Sequence, residues 1–445
     1  MADIRSFRAL HYNPEKTRQL GEVVTQPYDK ISPAMQERYH HLSPYNLVRI
    51  IKGREEQGDT PQNNVYTRAA QRFRDWNQSQ ILISDSEPAL YPYYQEYTVP
   101  GHPGIRKERR GFIALCRLED YAAGVVHRHE ETLAGPKQDR LQLLKATRAH
   151  FGQIFMLYSD PEGTVESTLQ AGAASQPWEQ VTDEYGSLHS VWRVSDPAVI
   201  EAVTKAMRAK KLIIADGHHR YETALAYRDY CREQGRTDGR AEYVMVTLVR
   251  MESAGLTILP THRVVHGLPR FDWSRFAAEA RPFFDWQDLK LTGSGAEQSA
   301  LLAESLAQGG RGRPTFGVYA GPDKVARLSL RRDIDLAKLL PDVPAPVRQL
   351  DVVLLHRLLL EKVLGIDRQA VREEKNLRYV RELTGAVDEV AADRAQLSFL
   401  MNPTPIEAVR DNAFAGHVLP QKSTDFYPKL LSGLTGYWLD QPDGK

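Results

Sequence analysis

Apolar and polar positions along the chain follow two rhythms, one typical of buried strands and one typical of helices. Lys211–Ala215 is a short apolar run that predicts a strand, and from Tyr221 onward apolar residues recur at helical spacing. Asp216–Arg220 therefore forms a strand-to-helix corner. Leu90–Val99 and Arg109–Leu118 flank a segment rich in turn residues and predict a β-hairpin. Because strand and helix signals alternate without a fixed repeat, we expect an α/β protein with mixed sheets.

The same pattern suggests how the chain is divided. We predict a core over 1–270 that contains the Asp216–Arg220 corner, a glycine-rich peripheral lobe over 271–345, and a C-terminal α/β segment over 346–445 that packs on the core. Val23–Ile31 suggests short strands, Tyr243–Met251 and Leu256–Val265 look like paired strands, and Leu350–Leu364 predicts an amphipathic helix.

Composition excludes several classes of protein. The 445 residues carry 58 Lys and Arg against 57 Asp and Glu, so the net charge of +1 does not favour binding to nucleic acid. The first residues lack the apolar core of a signal peptide, and charged residues interrupt the longest leucine-rich stretch. We expect a soluble cytoplasmic protein without membrane contact. Cys116 and Cys231 have no ligand-like spacing, which disfavours disulfides and structural zinc.

The corner at Asp216–Arg220 is the strongest chemical signal. Gly217 permits a tight turn, and the N–H groups of the first helical turn, with His218, His219 and Arg220 beside them, form a seat for an anion such as phosphate. The alternative is a helix capped by Asp216 with solvated histidines. Capping explains the Asp-Gly pair, but it does not require His-His-Arg in the next three positions.

A second segment, His127–Thr132, precedes a helix that Pro136 can begin. Lys137, Asp139 and Arg140 lie in the first turn of that helix. Cations at a helix N-terminus oppose the helix dipole, so their presence is easier to understand if an anion binds nearby. The alternative is a solvated polar turn.

Six short blocks together resemble a widespread prokaryotic family labelled as a domain of unknown function, and the resemblance spans nearly the whole chain. The blocks are Pro27–Asp29, His129-Glu130 with Thr132, Asp139-Arg140, Asp216–Tyr221, Pro260–Arg263 and Pro420–Thr424. In that family the corner is similar to the phosphate-binding corner of the ParB and sulfiredoxin superfamily, whose members include nucleotide-dependent kinases acting on free L-serine. The resemblance implies a ParB/sulfiredoxin-like nucleotide-binding core with added α/β lobes.

The resemblance also implies an activity. It implies phosphoryl transfer from ADP or ATP, with Mg²⁺ arriving with the nucleotide, to a small hydroxyl metabolite for which free L-serine is favoured. Such a kinase needs a carboxylate to take the acceptor proton, and Glu130 is our choice. The sequence leaves open which nucleotide is the donor and whether the chain forms a homo-oligomer. The implied catalytic residues are Glu130, His129 and Asp216; the nucleotide-binding residues are Gly217, His218, His219, Arg220, Lys137 and Arg140; the substrate-binding residues are Asp29, His262 and Arg263.

Two rival functions remain open. A metal-dependent hydrolase could use a cluster of histidines and Glu130, although the helical His-Glu-x-x-His spacing is missing. A non-enzymatic nucleotide-sensing regulator is the other rival, since fold kinship does not transfer function. The chain has neither a Walker loop nor a protein-kinase His-Arg-Asp loop, so a kinase here must use another fold. The hydrolase candidates are His127, His129, Glu130, His218, His219 and His262.

Overall fold

The computed structural model describes residues 1–131, 135–236, 239–291, 295–310 and 312–441. Contacts between Cα atoms divide the chain into two units. Unit 1 comprises Met1–Arg128, Thr132–Leu256 and Pro428–Lys445, and unit 2 comprises His129–Glu131 and Thr257–Tyr427. Both units combine helices with sheets, so the predicted α/β class with mixed sheets is confirmed. Among the described residues, no helix has the length and apolar character needed to cross a membrane.

Short strands and helices alternate along most of the chain. The strands are β1 Ile4–Arg5, β2 Leu10–Tyr12, β3 Leu82–Ser84, β4 Tyr91–Val99, β5 His102–Arg117, β6 Val126–His127, β7 Ala149–His150, β8 Ile154–Tyr158, β9 Glu179–Thr182, β10 Leu188–Val191, β11 Leu212–Asp216, β12 Tyr243–Arg250, β13 Thr257–Leu259, β14 His262–Val265, β15 Phe284–Asp288, β16 Thr315–Tyr319, β17 Val325–Leu330, β18 Leu377–Val380, β19 Leu397–Leu400, β20 Asp425–Tyr427 and β21 Tyr437–Trp438. The α-helices are α1 Pro33–Leu42, α2 Val48–Ile51, α3 Val65–Gln78, α4 Gly135–Thr147, α5 Thr164–Gly172, α6 Pro197–Met207, α7 His218–Glu233, α8 Trp273–Ala280, α9 Gly295–Gly309, α10 Leu336–Leu339, α11 Asp351–Leu354, α12 Arg368–Arg372, α13 Leu383–Ala391 and α14 Ile406–Phe414.

The main sheet of unit 1 has the strand order β6-β11-β8-β12-β5-β4-β10-β9, with β1 also paired to β5. It is mixed, because β12 runs parallel to β8 and antiparallel to β5. The central strands β8 and β11 are apolar and buried along most of their length, as expected for strands covered on both faces. The predicted hairpin is confirmed as β4 and β5. This sheet carries β11, and therefore the Asp216 corner, at the start of α7.

Unit 2 is built on a sheet with the order β15-β17-β16-β19-β14-β18. β14 precedes residue 270, β15, β16 and β17 lie within 271–345, and β18 and β19 follow residue 345. The division of the chain into a core, a peripheral lobe and a C-terminal segment at 270 and 345 stays a prediction. A small sheet pairs β13 with β20. That pairing connects the Pro260–Arg263 region to the segment that follows Pro420–Thr424.

Three local predictions need correction. Tyr243–Met251 and Leu256–Val265 are not partners, because β12 lies between β5 and β8 whereas β13 pairs with β20. Val23–Ile31 contains the 3-10 turn Tyr28–Lys30 instead of regular strands, since Pro27 has no N–H for a ladder. The helix predicted over Leu350–Leu364 begins as α11 but continues as a π-helix at Leu355–Val363.

Candidate functional site

The corner in unit 1 has the geometry of an anion seat. β11 ends at Asp216, Gly217 takes a φ of +94°, and α7 begins at His218. That φ favours glycine, and a Cβ at Gly217 would also lie 3.0 Å from Arg220 Cζ. Asp216 is not the N-cap residue, as the alternative required, because Gly217 takes that position and makes no side-chain cap hydrogen bond. The positive end of the α7 dipole therefore faces the corner.

Cations surround Asp216. Its Oδ2 lies 3.3 Å from Lys429 Nζ and 3.7 Å from Arg220 Nη2. Arg220 Nη2 also lies 3.9 Å from Asp29 Oδ1. Burial alone would raise the pKa of Asp216, but Lys429, Arg220 and Lys30 together hold that pKa well below its usual range. Asp216 is thus ionised at neutral pH.

Arg220 is held in place by the segment that precedes β8. Its Nη1 donates a hydrogen bond to the backbone oxygen of Gln153, and its side chain is only 13% exposed. The side chain of Gln153 accepts from Thr247 Oγ1, whereas its Nε2 is buried and has no hydrogen-bond partner in the described part of the chain. A buried donor without a partner is uncommon in proteins and is consistent with a ligand oxygen at this position.

Lys429 is a site residue that the sequence reasoning missed. Its side chain is 9% exposed, and its backbone oxygen accepts from Gln95 Nε2 at 2.9 Å. Arg109 donates to Pro428 O at 2.5 Å and to Gln95 Oε1 at 3.0 Å. Burial lowers the pKa of Arg109 to about 10. These buried contacts hold the backbone that presents Lys429 to Asp216.

Lys137 and Arg140 at the start of α4 have protein partners. Lys137 Nζ pairs with Glu222 of α7. Arg140 donates to Asp139 Oδ2 at 2.8 Å through Nε and to Ile51 O at 2.5 Å through Nη1, and its guanidinium lies 4.2 Å from the ring centroid of Tyr28. Their roles as nucleotide ligands stay predictions.

A small cavity opens beside these residues. It has a volume of about 70 Å³ and is lined by Arg140 and Arg220 together with mainly apolar residues such as Leu143 and Phe151. Pockets for whole ligands of drug size usually measure roughly 300–1,000 Å³. This cavity can therefore take only part of a nucleotide.

Glu130 and His129 form a cluster in unit 2. Glu130 Oε1 accepts from the backbone N and from Oγ1 of Thr424, both at 2.9 Å. His129 Nε2 lies 2.8 Å from Thr424 Oγ1 and 3.5 Å from Glu130 Oε1. Backbone hydrogen bonds from Leu419 to His129 and from Glu131 to Leu419 align the two segments. The structure thus brings together two of the sequence blocks, while Thr132 lies outside the described residues.

His262 and Arg263 lie in β14 of unit 2 and are buried. His262 Nδ1 accepts from the backbone N of Met401 at 3.1 Å, and burial lowers the pKa of His262 to about 4. Arg263 donates to Thr261 O and to Lys422 O, the latter at 3.0 Å, and burial lowers its pKa to about 10. The hydrogen bond from Arg263 to Lys422 O stabilises the Pro420–Thr424 segment. The predicted substrate contacts of both side chains stay predictions.

The metal-site alternative gains no ligand set. Within the described ranges, no group of three or more His, Cys, Asp or Glu side chains is arranged to hold a metal ion. His127 Nε2 lies 3.1 Å from Gly124 O, His129 contacts Thr424, and His262 contacts Met401. These three candidate ligands are engaged with the protein.

Several solved structures share a low level of similarity with the chain. A free serine kinase in complex with AMP is 11% identical, with 72% of this chain and 92% of that chain covered and a TM-score of 0.36. A conserved hypothetical protein from Pyrococcus furiosus is 10% identical, with 74% and 96% covered and a TM-score of 0.37. SbnI with a C-terminal truncation, from Staphylococcus aureus, is 12% identical, with 74% and 90% covered and a TM-score of 0.36. Likeness at this level assigns no function.

The family is identified by sequence. No curated protein matches the chain. The model of the family described as "Protein of unknown function (DUF1015)" matches residues 4–353, which is more than half of the chain. The chain therefore belongs to the DUF1015 family.

Proposed function

We propose that this chain transfers a phosphoryl group from ADP or ATP to a small hydroxyl metabolite, with free L-serine as the favoured acceptor and O-phosphoserine as the product. The observation that carries the proposal is the cation cluster around Asp216 at the N-terminus of α7. In keeping with the sequence resemblance, we also propose that the core of unit 1 is of the ParB/sulfiredoxin type.

The cluster suits the demands of phosphoryl transfer. This reaction requires little covalent chemistry from the protein and depends on positioning and on neutralising the phosphate charge. Arg220 offers a planar guanidinium that matches phosphate oxygens, and Lys429 adds a largely buried point charge 3.3 Å from Asp216. Gly217 allows the backbone to approach a phosphate closely. Gln153, just before β8, has a buried Nε2 donor without a partner among the described residues.

Glu130 is the proposed general base. As the bond between the acceptor oxygen and phosphorus forms, the bond between phosphorus and the nucleotide oxygen breaks, and the acceptor proton passes to the carboxylate. AMP leaves if ADP is the donor, and ADP leaves if ATP is the donor. The two hydrogen bonds from Thr424 fix the orientation of the Glu130 carboxylate, as a positioned base requires.

A divalent cation is compatible with this chemistry without a dedicated protein cage. Mg²⁺ in kinase sites is held by substrate phosphates with one or two carboxylates. Asp29 and Asp216 are the carboxylates beside Arg220 that could fill that role. When bound with the nucleotide, Mg²⁺ would neutralise part of the phosphate charge.

The proposal is tested by thermal stabilisation combined with product detection. We expect ADP or ATP to raise the unfolding midpoint, with a further rise on adding Mg²⁺ but not Zn²⁺, and we expect O-phosphoserine to accumulate when L-serine is supplied. Stabilisation without transfer to any hydroxyl acceptor would instead indicate a nucleotide sensor. Stabilisation by Zn²⁺ alone would favour the hydrolase.

A further inference from the structure

Unit 2 contains a cavity that the proposed reaction does not use. Its volume is about 220 Å³. Its lining includes apolar side chains, among them Val343, Val347 and Val371, together with His356 and several charged side chains. An apolar lining with a few polar groups is typical of small-molecule sites.

Three of the polar lining residues, His356, Arg357 and Glu361, belong to the π-helix at Leu355–Val363. In an α-helix, residues five apart point about 140° away from each other, whereas the i to i+5 bonding of a π-helix places them nearly above one another. His356 and Glu361 are five residues apart, and both line the cavity. The π-helix therefore brings His356 and Glu361 to the same side of the helix, where both line the cavity. Such π segments are rare in proteins overall, and those that do occur often lie at functional sites.

One ring nitrogen of His356 has no hydrogen-bond partner among the described residues. Its Nε2 is buried and lacks a hydrogen-bond partner anywhere in the described part of unit 2. Burial, and to a smaller extent the charge of Arg263, lowers the pKa of His356 to about 3, so the imidazole is neutral at neutral pH. A neutral imidazole can donate from Nε2 to a ligand oxygen.

The arginines at the cavity differ in how strongly they are paired. Arg357 donates to both oxygens of Asp342 at 2.7 and 3.1 Å, and its Nε lies 2.9 Å from Glu361 Oε2. Arg372 is 55% exposed, and its Nη2 lies 4.0 Å from Glu131 Oε2, which is longer than a hydrogen bond. Arg372 is thus the better placed of the two to bind the carboxylate of a ligand.

We propose that this cavity binds a small branched aliphatic carboxylic acid. The apolar body of the acid packs against the valine side chains of the lining. Its carboxylate accepts hydrogen bonds from Arg372 and from His356 Nε2. The site goes beyond the proposed phosphoryl transfer and does not depend on it, because none of the residues assigned to that reaction lines this cavity.

Calorimetric titration of the full chain, without nucleotide, tests the ligand chemistry. The probes are isovalerate, acetate, which lacks the branched body, and 3-methyl-1-butanol, which lacks the carboxylate. We expect isovalerate to bind at least about tenfold more tightly than either of the other two at constant ionic strength. No detectable binding of isovalerate, or equal binding of the alcohol, would overturn the proposal.

Matched variants locate the binding. Arg372→Gln and His356→Leu should each weaken isovalerate binding by roughly tenfold. Arg275→Gln removes an exposed arginine of α8 that is paired with Glu279 and should leave the affinity unchanged. Because Arg372 is more than half exposed, its substitution remains informative even if His356→Leu does not fold. Parent affinity in Arg372→Gln would show that isovalerate binds elsewhere and would refute the assignment.

Discussion

Arg220→Ala is the sharpest perturbation of the anion seat. If Arg220 contacts a nucleotide phosphate through charge-assisted hydrogen bonds, its loss should weaken binding by about 1.5–3 kcal/mol, which is roughly 10- to 150-fold in Kd. Lys429 stays beside Asp216 in this variant, so the carboxylate keeps a counter-charge at 3.3 Å. We therefore expect the fold to persist with a lowered unfolding midpoint, because the hydrogen bond to Gln153 O is lost.

The matched control lies on the same helix. Arg228 also donates to a backbone oxygen, that of Leu118 at 3.2 Å, and pairs with Asp120 at 3.1 Å, so Arg228→Ala should also lower the unfolding midpoint. It is not part of the corner and should leave nucleotide affinity unchanged. Calorimetric titration with ADP and ATP measures both variants. Equal affinity in Arg220→Ala and the parent, or equal loss in both variants, would refute the phosphate seat.

Three further predictions concern the base, metal content and pH. Glu130→Gln keeps an oxygen that can accept a hydrogen bond from Thr424 but removes the proton-accepting carboxylate, so turnover should fall by roughly 10²–10⁴-fold while nucleotide binding persists. Asp29→Asn is the control for a misassigned base. Full activity in Glu130→Gln would exclude Glu130 as the general base. Elemental analysis after chelator washing should find no stoichiometric zinc or iron, and about one such ion per chain would favour the hydrolase. Burial raises the pKa of Asp351 to about 7, above the value of about 3.9 in an unfolded chain, so the contribution of this group to stability should fall as pH rises from about 4 to 7. Asp351→Asn should flatten that part of the profile of unfolding midpoint against pH, and an unchanged profile would contradict the assignment.

Local patterns predicted the elements that depend on nearby residues. The strand-to-helix corner at Asp216 and the hairpin of β4 and β5 follow from short apolar runs and turn residues. The sequence blocks also include Glu130 and Arg263, and both side chains contact the Pro420–Thr424 segment in the structure.

Features that depend on distant segments could not be predicted. Lys429 lies beside Asp216 in a segment whose backbone is held by Gln95 and Arg109, and no spacing rule connects these positions. The partner of β12 was predicted wrongly because a buried apolar strand carries no signal that distinguishes one neighbour from another. The π-helix was missed since its leucines also fit ordinary helical spacing.

The most direct test of the proposed activity is ³¹P NMR of the purified chain incubated with L-serine, Mg²⁺ and either ADP or ATP. We predict a growing O-phosphoserine signal, matched by AMP formed from ADP or by ADP formed from ATP, and its loss in Glu130→Gln. No phosphoserine with either nucleotide, under conditions where nucleotide binding is verified by calorimetry, would contradict the assignment of L-serine as acceptor.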